Sequence, residues 1–370
     1  MLAIRPAAAS PESRGALCNP ENSAGHGGCY KSGMDNPLRS RSLRLLMLGA
    51  ALAACGGGGG SAPAPAPSGP DLPTRSQAAG ATAQSANNAC NALRPFYWEV
   101  GDKTQRQAGG SADGSGALSY DADTQMNIAS ASKWLYGAYV AERRGGVLSA
   151  EDVQFLSFRS GYTNFGFSGC EPGDTVGSCL TRGTNALRTN ANIDRFFYNG
   201  GHMQVHANQA APGMTLGAMD NAALATEVRR VLGTEISLSY TQPQLAGGVR
   251  TSANNYALFL RKLLNNQLKI AALLGSNATC TNPATCATAV STPVPANLSW
   301  SYSIGHWVEN DTVSGDGAFS SAGAFGFYPW IDAGKNWYGI VARVDLAGSG
   351  AESAACGALI RKAWLTGTAQ

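Results

Sequence analysis

Strand-like runs stand at both ends of the folded part of this chain, and a long helical stretch separates them. Phe96-Tyr97-Trp98-Glu99-Val100 is aromatic and β-branched and runs into Gly101-Asp102, which predicts a strand and a turn. Ala117 to Tyr120 and Gln125 to Ile128 suggest a second strand. From Lys133 to about Gln267 helical patterns dominate, with apolar residues at three and four spacing in Asn221 to Leu232 and in Ala253 to Leu264. Strands return at Trp300 to Glu309, Ala324 to Ile331 and Trp337 to Val344, and Ala354 to Trp364 predicts a closing helix. This order predicts an α+β fold. An antiparallel sheet is assembled from both chain ends, with terminal helices and a mainly helical insert over about 133–297.

The segment before residue 89 reads differently. Arg39, Arg41 and Arg44 precede a short apolar core, Leu45 to Ala54, too short to span a bilayer. The core ends in Leu52-Ala53-Ala54-Cys55-Gly56, which fits a secretory signal and resembles the bacterial lipobox. The lipobox implies diacylglycerol on Cys55; the alternative is an ordinary signal cut nearby. Residues 1–33 do not resemble a signal, and Met34 is the candidate start. Gly56 to Ser61, the Ala-Pro repeats to about Pro70 and a polar run to about Asn88 predict a flexible tether over 56–88, leaving 89–370 as the folded domain. Among the 370 residues 14% are charged and the net charge is +3. With no basic run in the body and no zinc-knuckle spacing, no nucleic-acid partner is expected.

Six cysteines follow the leader: Cys90, Cys170, Cys179, Cys280, Cys286 and Cys356. An even set in an exported domain predicts three disulfides. Proximity favours 170–179 and 280–286, which leaves Cys90 with Cys356 and ties the two ends of the domain together. No C-x-x-C occurs, so metal ligation is the weaker alternative. His202 and His206 have metal-like spacing but lack the glutamate of a zincin, and His306 either faces the cleft or caps a strand, with the structural role the expectation. No metal and no cofactor are expected.

The chemistry is concentrated in Ser130-Ala131-Ser132-Lys133, at the start of an apolar helix. Serine and lysine three apart on a helix share one face. A serine hydroxyl needs a base, and a lysine supplies one when a dry site lowers its pKa. Lys133 is the one lysine in the chain with a serine three residues before it. No G-x-S-x-G elbow occurs.

Four segments in order resemble the serine β-lactamase and D,D-peptidase type of hydrolase, nearest its class C and esterase branch with the nylon-oligomer hydrolases. They are Ile128 to Lys133; Phe155-Leu156-Ser157-Phe158-Arg159-Ser160-Gly161, with Phe158 in place of a histidine; Gly247-Gly248-Val249-Arg250-Thr251-Ser252-Ala253; and Gly323-Ala324-Phe325-Gly326-Phe327-Tyr328. The resemblance covers about Cys90 to Trp364. It implies Ser130 as nucleophile, Lys133 as base, and an oxyanion hole from the backbone N–H of Ser130 and of Ala324 on the edge strand. For the family's Y-x-N motif two tyrosines compete. Tyr162-Thr163-Asn164 matches literally, but Tyr198-Asn199-Gly200 lies at the family's distance from Ser160-Gly161 and is chosen; Tyr198 could also be packing in a core loop.

Two departures bear on substrate. Gly200 stands where the family has asparagine, and the third motif falls at Ser321-Ala322-Gly323, with no lysine or histidine from Asn310 to Gly334. The missing cation removes the partner of a substrate carboxylate; Arg343 or Arg250 would have to replace it, and a surface arginine is the expectation for Arg343. The sequence therefore points to an exported, lipid-anchored serine hydrolase of the cell envelope that cleaves a small or peptide-like ester or amide. A β-lactamase or penicillin-binding peptidase, and a non-catalytic binding lipoprotein on the same fold, are the alternatives.

Overall fold

The computed structural model describes residues 69–166 and 169–370. The leader, Cys55 and the tether up to residue 68 lie outside the described residues. Eight antiparallel strands form one sheet in the spatial order Arg106–Ala112, Phe96–Gly101, Tyr338–Ala342, Tyr328–Ile331, Ala318–Ser320, Trp307–Glu309, Ser301–Tyr302, Thr279–Cys280. The N-terminal hairpin thus pairs directly with the last strand, Trp98 opposite Val341. Seven helices accompany it among the described residues: α1 (Leu72–Ala83), α2 (Ser132–Arg143), α3 (Ala150–Leu156), α4 (Gly201–Asn208), α5 (Asn221–Leu232), α6 (Ala253–Leu264) and α7 (Gly350–Thr366).

Alternation along the last strand sets the layers. Val341 faces α7, where Gly357 leaves room for it and for the Tyr328 ring. Tyr338 faces the other way and accepts a hydrogen bond from Arg261 of α6 at 2.9 Å. Caps fix where helices begin: Ser252 for α6, Asp220 for α5, and a Ser349/Glu352 capping box for α7. The α2 helix is buried on nearly all sides. Gly137 lets it lie against the Ile304 carbonyl, which a Cβ would meet at 2.6 Å. Arg361 ties α7 to the sheet through Glu309 (2.7 Å), Asp316 (2.5 Å) and the Tyr328 hydroxyl (2.9 Å).

Four sequence expectations need correction. The tether does not reach Asn88: α1 forms over Leu72–Ala83, capped by Asp71, and packs on α7 and on the Arg106–Ala112 strand, burying Ala78, Ala79, Thr82 and Ala83. Arg75 adds a hydrogen bond to the Trp364 carbonyl at 2.8 Å. Ala117 to Tyr120 is loop. Arg106–Ala112 is the hairpin partner instead, its Gly109 passing so near the Trp98 carbonyl that a Cβ would meet it at 2.7 Å. The Trp300–Glu309 strand is two strands, broken at Ser303–His306. Cys90–Cys356 and Cys170–Cys179 are bridged, but Cys280 and Cys286 are free thiols. Cys280 is held in the sheet by its ladder with Ser301, and Cys286 turns toward Thr288 at 3.1 Å, so the two sulfurs are neighbours without a bond.

Candidate active site

A short strand, Met126–Asn127, pairs with Val249–Thr251, and the Ile128 N–H donates to the Val249 carbonyl at 3.0 Å. The chain then turns sharply. Ala129 has φ 44°, a left-handed conformation that costs a non-glycine residue about 1 kcal/mol or more and is typical of functional turns. The turn keeps Ala129 and Ala131 buried and leaves Ser130 partly exposed. Ser132, the other serine of the motif, is fully buried and accepts a hydrogen bond from the Val249 N–H at 3.2 Å.

Lys133 lies one helical turn on, as its spacing requires. Its Nζ is 2.8 Å from the Ser130 Oγ and 2.7 Å from the Ala246 carbonyl oxygen. The residue is 5% exposed, and among the described residues no carboxylate pairs with it. Burial without a counter-charge pulls the ammonium pKa down to about 7. The Ala246 carbonyl is itself positioned. Gln204 of α4, fully buried, donates to the Pro243 carbonyl at 2.9 Å and accepts from the Leu245 N–H at 3.2 Å, clamping that loop.

Tyr198 reaches the same place from another element. Its N–H donates to the Ser291 carbonyl at 3.0 Å, just after a two-residue parallel pairing of Phe196–Phe197 with Ala289–Ser291. The ring stacks on Trp307, with centroids 5.3 Å apart, and lies 4.8 Å from the Lys133 Nζ. Its hydroxyl faces Ser130 and the Trp307 indole, and burial pushes its pKa well above the ordinary phenol value, so the phenol stays neutral. Tyr162 is elsewhere. It stacks on Phe155 and under Arg188, while Asn164 donates to the Leu187 carbonyl and Thr189.

The Ser321-Ala322-Gly323 segment lies directly on the Ser130 turn. Ser321 Oγ donates to the Ser130 carbonyl at 3.1 Å, and a Cβ at Gly323 would collide with the Ile128 carbonyl oxygen. Ala324 follows, exposed, in a turn after the Ala318–Ser320 strand. That strand is interior to the sheet, with three strands outside it, so Ala324 is not on an edge strand. Among the described residues the Ala324 N–H takes part in no backbone hydrogen bond.

The chain matches no protein-family model and no curated protein sequence. Solved structures do match. A candidate β-lactamase of Bacteroides dorei DSM 17855 aligns with a TM-score of 0.54 at 20% identity, covering 73% of this chain and 93% of that one. A D-amino acid amidase of Ochrobactrum anthropi SV3 aligns at 0.54 and 9% identity over 75% and 98%. Simvastatin synthase of Aspergillus terreus aligns at 0.54 and 11% identity over 80% and 97%. The fold is β-lactamase-like.

In this β-lactamase-like fold Ser130, Lys133 and Tyr198 share one cavity of about 470 Å³ with Ala324. Its other walls include Asn199, the middle residue of the Tyr198-Asn199-Gly200 motif, and Phe165, Thr241, Gln242, Gln244 and Asn127, which the sequence did not single out. Apart from Asn127, on the Met126–Asn127 strand, they come from loops, and no spacing is common to them. The nearest signal was Gly247-Gly248, where a Cβ on Gly248 would collide with the Gln242 carbonyl oxygen. Gly200 also lines the cavity, and the neighbouring Asn199 side chain turns back to the Phe165 backbone at 3.1 and 3.3 Å.

The histidines and Arg343 are engaged elsewhere. His202 accepts from Ser160 at 2.7 Å and donates to the Phe197 carbonyl at 3.0 Å; burial lowers its pKa to about 3, so it is neutral. His206 donates to Asp152 at 3.0 Å and accepts from Tyr136 at 2.9 Å. His306 accepts from the Gly275 N–H at 3.1 Å and donates to the Ile304 carbonyl at 2.9 Å, its pKa pulled by burial to about 4. Arg343 is not a surface residue: it is 5% exposed and bound to Glu352 at 2.8 Å and to the Leu93 carbonyl at 3.2 Å. Its two terminal NH2 groups are taken by these partners, and its Nε is buried without one. Arg250 points outward from the Val249–Thr251 strand.

Proposed function

We propose that this protein is a serine hydrolase that cleaves a neutral ester or amide through an acyl-enzyme on Ser130. One observation carries the reading: the buried, unpaired Lys133 ammonium, with a pKa near 7, lies 2.8 Å from the Ser130 hydroxyl. Near neutral pH a large share of Lys133 is the free amine, able to take the serine proton. Ser130 Oγ then bonds to the substrate carbonyl carbon. The Ser130 and Ala324 N–H groups hold the oxyanion, typically contributing roughly 3 kcal/mol each. The proton passes by Lys133 and Tyr198 to the leaving alcohol or amine as its bond to carbon breaks. Water repeats the sequence, releasing the acid and restoring the serine. Tyr198 stays a neutral phenol and serves as a relay rather than as a standing base.

Substrate neutrality rests on the cavity walls. Lys133 is the one ionisable cation among its described lining residues, and it is committed to Ser130 and Ala246. A substrate carboxylate would lose its hydration with no partner, at a cost of at least 1–3 kcal/mol, roughly tenfold or more in kcat/KM. That a D-amino acid amidase and simvastatin synthase share the fold fits an acyl-transfer site free of β-lactam specificity. The test is side-by-side labelling with a fluorophosphonate and a fluorescent penicillin. The fluorophosphonate alone is the expected result. Both labels together would make it a penicillin-recognising enzyme, and neither would make it a binding protein.

The same reading places the chain in the cell envelope, lipid-anchored at Cys55. The Leu52-Ala53-Ala54-Cys55 motif and two disulfides in the folded part support it. Expressed with its own leader in a bacterium, the protein is expected in the membrane fraction, and Cys55→Ser in the soluble one. Equal partition of the two would remove the anchor.

A further inference from the structure

A second cavity opens beside Ser130, and its chemistry differs from that of the first. The larger arm offers amides and a hydroxyl from Asn127, Thr241, Gln242 and Gln244. The smaller arm, about 200 Å³, shares Ser130, Tyr198 and Ala324 with it. Beyond these it is walled by Pro293, Val294, Pro295, Trp300, Trp307 and Ala322, and closed by the first residues of α7. No Asp, Glu, Lys, Arg or His is among its described lining residues.

These walls are fixed rather than adaptable. Trp300 and Trp307 meet edge to face at 6.1 Å, and Trp307 is held in the sheet and stacked on Tyr198. Two prolines restrict the Thr292–Leu298 loop, and the Leu298 N–H donates back to the Pro295 carbonyl at 2.8 Å. A preformed apolar pocket gains affinity without an ordering cost.

We propose that the smaller arm is a selectivity pocket for one uncharged apolar substituent flanking the scissile carbonyl, while the hydrogen-bonding remainder of the substrate lies in the larger arm. The inference rests on the acyl-transfer reading of Ser130. Size sets the substituent: a cavity of about 150 Å³ lined by apolar side chains accommodates benzene, so this one takes a single ring or a branched chain of about five or six carbons and excludes two fused rings. A charged substituent entering it would be desolvated without a partner.

Two ester series on the full-length protein test this. One varies the acyl group with a constant p-nitrophenol leaving group: acetyl, butyryl, 3-methylbutyryl, benzoyl and naphthoyl. The other keeps acetyl and varies the alcohol in the same steps. Along one series kcat/KM should rise about fourfold per methylene as far as one ring, and fall for the fused rings and for a carboxylate-bearing member. Which series responds tells whether the arm holds the acyl or the leaving group. In Val294→Asp the ratio of the one-ring to the two-carbon ester should fall at least tenfold. Trp300→Ala, a second variant should the first fail to fold, should admit the fused rings. A small fluorophosphonate is run on each protein. Flat series in both directions, with Ser130 still labelled, overturn the pocket; absence of label in the wild type overturns the acyl-transfer reading and the pocket with it.

Discussion

Ser130→Ala is expected to abolish covalent labelling by a fluorophosphonate and to leave the circular dichroism and melting temperature nearly unchanged. Ser130 is partly exposed at the lip of the cavity, and its hydroxyl contacts Lys133 without filling core space. Removing it therefore takes away the reacting atom and little packing. Ser132→Ala should behave in the opposite way, keeping the label and losing about 1 kcal/mol, because its buried hydroxyl serves the Val249 N–H. Peptide mapping of the labelled wild type separates the two, and a label on Ser132 or Ser321 would refute the assignment.

Lys133→Met is expected to slow acylation by roughly 10²–10⁴-fold and, at the same time, to raise the melting temperature. Methionine fills the same space without a charge to desolvate. The lysine pKa falls from 10.5 in the unfolded chain to about 7 in the fold. The unfolded state thus binds more protons between these values, and stability rises with pH across that window. The penalty is fully present below pH 7 and gone above pH 10.5, so the stabilisation by Lys133→Met should be larger at pH 6 than at pH 9. Activity has the matching sign: kcat/KM of the wild type should climb as pH passes through about 7 and level off above it. Tyr198→Phe should slow acylation in the same roughly 10²–10⁴ range, and Tyr162→Phe should have little effect. A fast Lys133→Met enzyme, or the reverse ranking of the tyrosines, would undo the proton-transfer pair.

Local pattern carried much of this fold. Asn221–Leu232 and Ala253–Leu264 show their buried stripes in sequence and are helices over those residues. Ser130 and Lys133 were legible because a three-residue spacing on a helix is itself a geometry. The α1 helix was hidden by its small-residue face: Ala78, Ala79 and Ala83 pack well but give no apolar periodicity, and the preceding Ala-Pro repeats drew the tether too far. Asp71 followed by Leu72-Pro73 was the overlooked start signal. Arg106–Ala112 lacks β-branched residues, and its strand character comes from its neighbour Phe96–Gly101 rather than from itself. The cavity walls at Gln242, Gln244, Val294 and Trp307 meet only through tertiary structure, and no spacing announces them.

The surroundings of Ser130 are delivered late. Phe96–Gly101 lacks one of its two neighbours until Tyr338–Ala342 exists, and Cys90 finds its partner 266 residues on. Ser321, Gly323 and Ala324, which close over Ser130, belong to the same final stretch. A growing chain can therefore hold Ser130 and Lys133 in one helical turn long before it has a place to put a substrate. Long-range pairing of this kind is slow to form. On the acyl-transfer reading, Ser130 has no complete substrate cavity until that final stretch of chain is in place.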